Sequence, residues 1–294
     1  MTFEGAMTAL VTPFTADGAV DEETLRALVE RQIAGGIGGL VPCGTTGEAP
    51  TLDLDEHARV IQVTAEVAAG RVPVLAGIGS NDTRTAIENA HRAQAAGAQG
   101  VLATAPYYNK PSQEGLFRHF KAIAEAVPAL EVCIYDVPGR SVVKVAPETT
   151  ERLSVLDNVT CVKDATGDMA HGAEVYRRVE GRVGLLSGDD FTTMTLIALG
   201  GVGCVSVASN LAPKTISAMV AAAREGRMDE ARAMNARLQP FFQALFIQTN
   251  PLPIKAAMAS RGLCLDRFRL PLCPMDDGPR TKLMTVLEGF SDLD

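Results

Sequence analysis

Four runs in this sequence bring together side chains that could make and break a bond to a carbonyl carbon: Gly44-Thr45-Thr46-Gly47-Glu48, Pro106-Tyr107-Tyr108-Asn109-Lys110-Pro111, Tyr135-Asp136-Val137-Pro138-Gly139-Arg140 and Lys163-Asp164-Ala165-Thr166-Gly167. Most of the seven lysines have an obvious solvated home, but Lys163 closes the apolar run Val159-Thr160-Cys161-Val162. An ammonium at the mouth of an apolar fold is desolvated, which favours the neutral amine, the form that adds to a carbonyl and gives a Schiff base. Lys144 and Lys255 are rivals for that role. They are less well placed, one preceding a helix by a proline and the other lying in the C-terminal part. Imine chemistry needs an acid/base group close by, and Tyr135 is the candidate. Thr45 and Thr46 sit between glycines, where backbone N–H groups can approach and hold a carboxylate. Arg140, in a loop after Pro138-Gly139, carries the fork that suits a carboxylate.

These groups have to be positioned by regular elements, and the sequence supplies them in alternation. Eight short apolar runs read as strands: Ala6–Val11, Gly39–Val41, Val72–Ala76, Gly100–Ala103, Val132–Tyr135, Val159–Val162, Val183–Leu186 and Cys204–Val207. Each feeds an amphipathic stretch: Glu22–Ala34, Leu54–Ala69, Thr83–Ala96, Gln113–Val127, Pro147–Leu153, Met169–Val179, Phe191–Leu199 and Pro213–Arg224. Parallel strands are joined by such crossovers, and the number and size match an α/β fold of the (β/α)8 barrel type over residues 1–224. A doubly wound open sheet is the alternative, but no Gly-x-Gly-x-x-Gly follows the first strand. Residues 225–294 read as a C-terminal helical region with helices at Asp229–Ile247, Pro253–Arg261 and Pro279–Gly289. Proline-rich breaks separate them at Asn250-Pro251-Leu252-Pro253 and Leu270-Pro271-Leu272-Cys273-Pro274. In a barrel the reactive groups come from strand C-terminal ends, and the four runs fall there, with Ser187-Gly188-Asp189-Asp190 after the seventh strand.

Composition narrows the partners. With 27 basic against 35 acidic residues and a net charge of −8 in 294 residues, the chain lacks the clustered Lys and Arg of a nucleic-acid binder. The four histidines are scattered and the six cysteines form no Cys-x-x-Cys pair, so neither a metal nor another cofactor is expected. Most cysteines lie in apolar runs and read as small core residues. Met1–Met7 carries an acid where a secretory signal wants a base, and the longest weakly polar run, Leu196–Ala208, is cut by glycines and falls short of the roughly 20 residues of a membrane helix. A soluble cytoplasmic protein without membrane partner is expected.

Taken together, the four runs, in this order and at this spacing, resemble the 4-hydroxy-tetrahydrodipicolinate synthase family of class I pyruvate-dependent aldolases, and the resemblance runs essentially end to end. It implies that Lys163 forms an imine with pyruvate, becomes an enamine and attacks the aldehyde of L-aspartate 4-semialdehyde, in lysine and diaminopimelate biosynthesis. It further implies that Tyr135 moves the proton, that Thr45 and Tyr108 complete a relay with Tyr108 coming from a neighbouring subunit, and that Thr46 and the Val205 backbone hold pyruvate with Gly188 lining the pocket. Arg140 would bind the semialdehyde carboxylate, and the assembly would be a homotetramer of two dimers. Asp136 stands where asparagine is commoner, and Ser141-Val142 replaces a threonine-containing pair.

Two other readings are open on the residues alone. One is a related aldolase or dehydratase acting on N-acetylneuraminate, a 2-keto-3-deoxy sugar acid or a hydroxyproline-derived keto acid. The other is a non-enzymatic anion binder using Gly200-Gly201-Val202-Gly203 as a phosphate cradle. Members of the family regulated by lysine use residues matching His57, Asn81 and Tyr107. Leu54 and Thr85 replace the histidine and glutamate of that site, which implies weak or absent feedback.

Overall fold

The computed structural model describes residues 3–293, so Met1, Thr2 and Asp294 lie outside the described residues. Eight strands, β1 (Gly5–Ala9), β2 (Gly39–Val41), β3 (Leu75–Gly77), β4 (Gly100–Thr104), β5 (Glu131–Asp136), β6 (Val159–Asp164), β7 (Gly184–Ser187) and β8 (Gly203–Ser206), form one parallel sheet. Its order is β2-β1-β8-β7-β6-β5-β4-β3, and a parallel bridge between Leu40 and Val74 brings the two ends together as a barrel. The crossovers carry α1 (Glu22–Ala34), α2 (Leu54–Ala68), α3 (Thr83–Ala95), α4 (Gln113–Ala126), α5 (Pro138–Ser141), α6 (Pro147–Leu153), α7 (Met169–Val179), α8 (Thr193–Ala198) and α9 (Pro213–Arg224). The C-terminal helices α10 (Met228–Ala244), α11 (Leu252–Ser260) and α12 (Asp277–Glu288) follow. The barrel read from the sequence is the barrel found.

Alternation along the strands sorts side chains into two cores. Cys133 and Tyr135 of β5 face the barrel interior with Met7, Leu102, Cys161, Leu186 and Val205, whereas Val132 and Ile134 face the helices. The outer cluster continues without a break into Leu238, Phe241 and Phe242 of α10 and Leu283 of α12. Helix starts follow the expected chemistry. The Asp53 side chain accepts from Asp55 and Glu56 N–H groups while Glu56 reaches back, and Asp82 caps α3 by accepting from Arg84 N–H.

Most boundaries differ from the sequence reading by one to three residues, and three of the differences have a clear local reason. The third strand starts at Leu75 instead of Val72 because Pro73 has no N–H and the Val74 N–H is taken by Gln99 Oε1 at 2.8 Å. The first strand ends at Ala9 because the Val11 N–H turns to Asn210 Oδ1 at 3.2 Å. The segment after β5, read as a loop, holds the single turn α5, with Pro138 at its first position. The glycine run before β8 is a packing feature and not an anion cradle. A Cβ on Gly203 would lie 2.0 Å from the Gly5 carbonyl oxygen, one on Gly201 2.8 Å from that of Leu196, and one on Gly200 2.4 Å from the Tyr176 ring. The run also lies at the N-terminal end of β8, opposite the end where Lys163 stands on β6.

Candidate active site

The parallel register of β5 and β6 pairs Tyr135 with Lys163. Both are inward-facing and 6% exposed, and Lys163 Nζ stands 4.0 Å from the centre of the Tyr135 ring. Among the described residues no carboxylate, carbonyl or hydroxyl takes a hydrogen bond from that ammonium. A buried cation normally collects such partners, so this amine is held in place by packing and ring contact while its reactive end stays uncommitted.

Lys163 opens into a cavity of about 320 Å³ whose wall includes Thr45, Thr46, Tyr135, Arg140, Gly188 and Asn250. A second cavity of about 470 Å³ shares Thr45, Tyr135, Arg140 and Asn250 and runs outward past His57, Leu54, Thr85 and Tyr107. Six of the eight residues singled out by sequence, Lys163, Tyr135, Thr45, Thr46, Arg140 and Gly188, therefore converge on one chamber at the strand C-terminal ends. Gly188 fits there because a Cβ would press on Ala165 Cβ at 2.6 Å, and its N–H binds the Asp164 carbonyl at 2.7 Å. Arg140 is exposed on α5 and donates from Nη2 to the Asn250 carbonyl at 3.0 Å, leaving the rest of its fork free at the rim.

Two residues are not among those lining either cavity. The Val205 side chain packs in the barrel interior with Leu186 and Cys161, and Val207 is the β8-end residue in the chamber wall. Tyr108, 87% exposed at φ 71°, lines neither cavity and points away from its own chain. Asp136 faces away from the chamber. Its Oδ1 accepts from Val145 N–H at 3.2 Å, Oδ2 lies 3.5 Å from His171 Nε2, and burial raises its carboxyl above the ordinary range.

Sequence reasoning missed Asp189 and Asn250. Asp189 lies in the chamber wall, where burial pushes its carboxyl up to about 6 against the pull of the Lys163 ammonium. Its place directly after Gly188 was the available signal. Asn250 is 7% exposed, donates from Nδ2 to Thr46 Oγ1 at 2.9 Å and leaves Oδ1 without a partner. No local pattern marks it, since its contact spans 204 residues of chain. Lys255, set aside as a rival in the C-terminal part, is wholly buried. Its ammonium pairs with Glu48 Oε1 at 2.7 Å and donates to the carbonyls of Thr12 and Arg267 at 3.1 and 2.6 Å. Lys144 pairs with Asp168 at 2.9 Å. Neither is free to act as a nucleophile. No cluster of three or more His, Cys, Asp or Glu among the described residues could hold a metal ion, and no helix there is long and apolar enough to cross a membrane.

Compared with known proteins, residues 2–289 match the profile described as the dihydrodipicolinate synthetase family. The chain is 49% identical over 288 residues to the 4-hydroxy-tetrahydrodipicolinate synthase of Pelobacter propionicus, covering 98% of this chain and 99% of that one. It is 46% identical over 288 residues to that of Geobacter sulfurreducens, with the same 98% and 99% coverage. Among solved structures it is similar to the dihydrodipicolinate synthase from Aquifex aeolicus, with TM-score 0.96, 40% identity and 99% of each chain covered. The chloride-inhibited dihydrodipicolinate synthase from Acinetobacter baumannii complexed with pyruvate gives TM-score 0.96 at 42% identity, over 98% of this chain and 99% of that one.

Proposed function

The chain belongs to the dihydrodipicolinate synthetase family, and from that membership we propose that Lys163 is the amine through which it works. The protein is a lyase that condenses pyruvate with L-aspartate 4-semialdehyde to 4-hydroxy-tetrahydrodipicolinate, in lysine and diaminopimelate biosynthesis. The sugar-acid and hydroxyproline-derived substrates are not favoured. The observation that carries the reading is a buried lysine at a strand end, beside a tyrosine, with no hydrogen-bond acceptor committed to it.

Lys163 Nζ adds to C2 of pyruvate, and the carbinolamine loses its oxygen as water once Tyr135 has delivered a proton to it. Tyr135, with Thr45 and Tyr108 of a second copy behind it, then takes a proton from C3. The resulting enamine attacks the semialdehyde carbon, and the aldehyde oxygen becomes a hydroxyl. The amino group of the condensed chain next adds to C2 and displaces Lys163 as the free amine, closing the ring. Thr46 and the Val205 backbone hold the pyruvate carboxylate end with Gly188 beside them, and Arg140 takes the semialdehyde carboxylate at the rim. The outward stance of Tyr108 and the exposed Leu54, Tyr107 and Leu270 support an assembly of copies; we take it to be a homotetramer built from two dimers, and the enzyme to be cytoplasmic, as suits a biosynthetic step. We divide the chain into a catalytic barrel, 1–224, and a helical region, 225–294. Turnover of pyruvate with the semialdehyde, measured beside the sugar-acid substrates, tests the reading. Preference for a sugar acid would overturn it.

A further inference from the structure

The turn that carries Thr45 and Thr46 is one its own backbone would hold poorly. Cys43 enters it at φ 54° and Glu48 leaves it at φ 53°, both in the left-handed region that strains residues with a side chain. Within the turn the bonds are few and long: Gly47 N–H to the Gly44 carbonyl at 3.1 Å, Glu48 N–H to that of Thr45 at 3.2 Å and Ala49 N–H to that of Gly44 at 3.3 Å. Such a conformation persists only where surrounding structure over-determines it.

That surrounding structure comes mostly from far along the chain. The Glu48 carboxylate is wholly buried, with Oε1 on Lys255 Nζ of α11 at 2.7 Å and Oε2 on the Arg269 N–H at 3.2 Å. The ammonium has three protons and three acceptors, Glu48 and the carbonyls of Thr12 and Arg267, and it lies 4.5 and 4.8 Å from the centres of the Phe14 and Phe268 rings. Arg269 then fastens the segment after the turn through the Thr51 carbonyl at 2.8 Å and both Glu56 oxygens at 2.6 Å. A pair whose donors are all used, with no solvent access, has no capacity left for proton transfer. What it can still do is fix a position, because a buried ion pair tolerates little displacement.

We propose that Glu48 and Lys255 are positioning residues for the pyruvate carboxylate. Through them α11 sets the Thr45–Thr46 turn at the depth of Lys163, so the C-terminal helices complete the catalytic centre and are not an outer appendage. This rests on the reading of Thr45 and Thr46 as pyruvate-holding residues. The pair acts only through the turn, so its effect falls on pyruvate. Arg140, held by the Asn250 backbone, keeps its place.

The test uses full-length Glu48→Gln, the charge-free Glu48→Gln/Lys255→Met and Thr46→Val, assayed well below each melting temperature. In both Glu48 variants KM for pyruvate should rise roughly ten-fold, with KM for the semialdehyde within two-fold of wild type, as expected when a holding group is misplaced by a fraction of an ångström. The double variant, with no unpaired buried charge, should recover most of the melting temperature lost by Glu48→Gln without recovering KM. A double variant with wild-type KM for pyruvate would reduce the pair to a stabilising contact and overturn the proposal, even if Glu48→Gln alone fails to fold. Thr46→Val separates the two levels. If it raises KM for pyruvate while the double variant does not, only the positioning role fails; if Thr46→Val leaves that KM unchanged, the reading of the turn fails with it.

Discussion

Two lysines are buried in this molecule, and their surroundings are opposites. Lys255, in the seam between the C-terminal helices and the barrel, is surrounded by acceptors: a carboxylate at 2.7 Å and two carbonyls. Lys163, at the C-terminal end of β6, has a ring face at 4.0 Å and open cavity beyond it. The Lys163 charge acts on the carboxyls of Asp189, in the chamber wall, and of buried Asp190, and neither is bonded to the ammonium. Burial lowers the Lys255 ammonium from its ordinary value while the Glu48 charge works to hold it up. Burial alone therefore does not mark a nucleophile. A satisfied buried amine is structure, and an unsatisfied one beside a cavity is chemistry.

The comparison is broken most directly by exchanging each lysine for methionine. Lys255→Met strands the Glu48 carboxylate in an apolar seam and should cost about 3–5 kcal/mol of stability, read by denaturant unfolding. Lys163→Met strands no bonded partner, so it should keep or raise the melting temperature while turnover falls to background. Equal destabilisation by the two would mean that Lys163 has a structural partner after all. Arg140→Ala should come next, raising KM for the semialdehyde about ten-fold or more, the effect of losing a charge-assisted bond of roughly 1.5–3 kcal/mol. Imine formation with pyruvate should survive. Loss of both would make Arg140 a prop for the chamber wall.

Asp189→Asn sharpens the contrast from the carboxyl side. The folded carboxyl titrates at about 6, above its ordinary 3.8, so the fold prefers it protonated. Its contribution to stability is present at pH below the ordinary value and is lost as pH rises through about 6. The variant should match wild type in melting temperature near pH 4 and exceed it by a few degrees above pH 7. A difference that does not change with pH would remove Asp189 as a titrating neighbour of Lys163. The smallest effect concerns the outer cavity. With apolar Leu54 and uncharged Thr85 in its wall, and with the Thr85 hydroxyl bonded to Asp82 at 3.0 Å, micromolar L-lysine should leave turnover unchanged. Half-inhibition in that range would contradict it.

The barrel was legible because each strand and helix announces itself within about a dozen residues, through apolar period, caps and glycine stops. Where the third and first strands were shortened, a distant side chain had taken a ladder position, Gln99 at Val74 and Asn210 at Val11. Lys163 and Tyr135 were legible for the same local reason, each ending an apolar strand, and the strand register brought them together. The contacts that support them were not. Lys255 reaches Glu48 across 207 residues and Asn250 reaches Thr46 across 204, and no motif in either segment points to the other. Lys255 read as a rival nucleophile, and its structural role stayed hidden because its partner Glu48 lies 207 residues away in the chain.

The central claim is that one amine, and not the other buried one, carries the reaction. Wild-type protein incubated with pyruvate, reduced with borohydride and mapped by peptide mass should carry a single adduct on Lys163, none on Lys255, and none anywhere in Lys163→Ala. An adduct on Lys255, or one that persists in Lys163→Ala, would contradict the account.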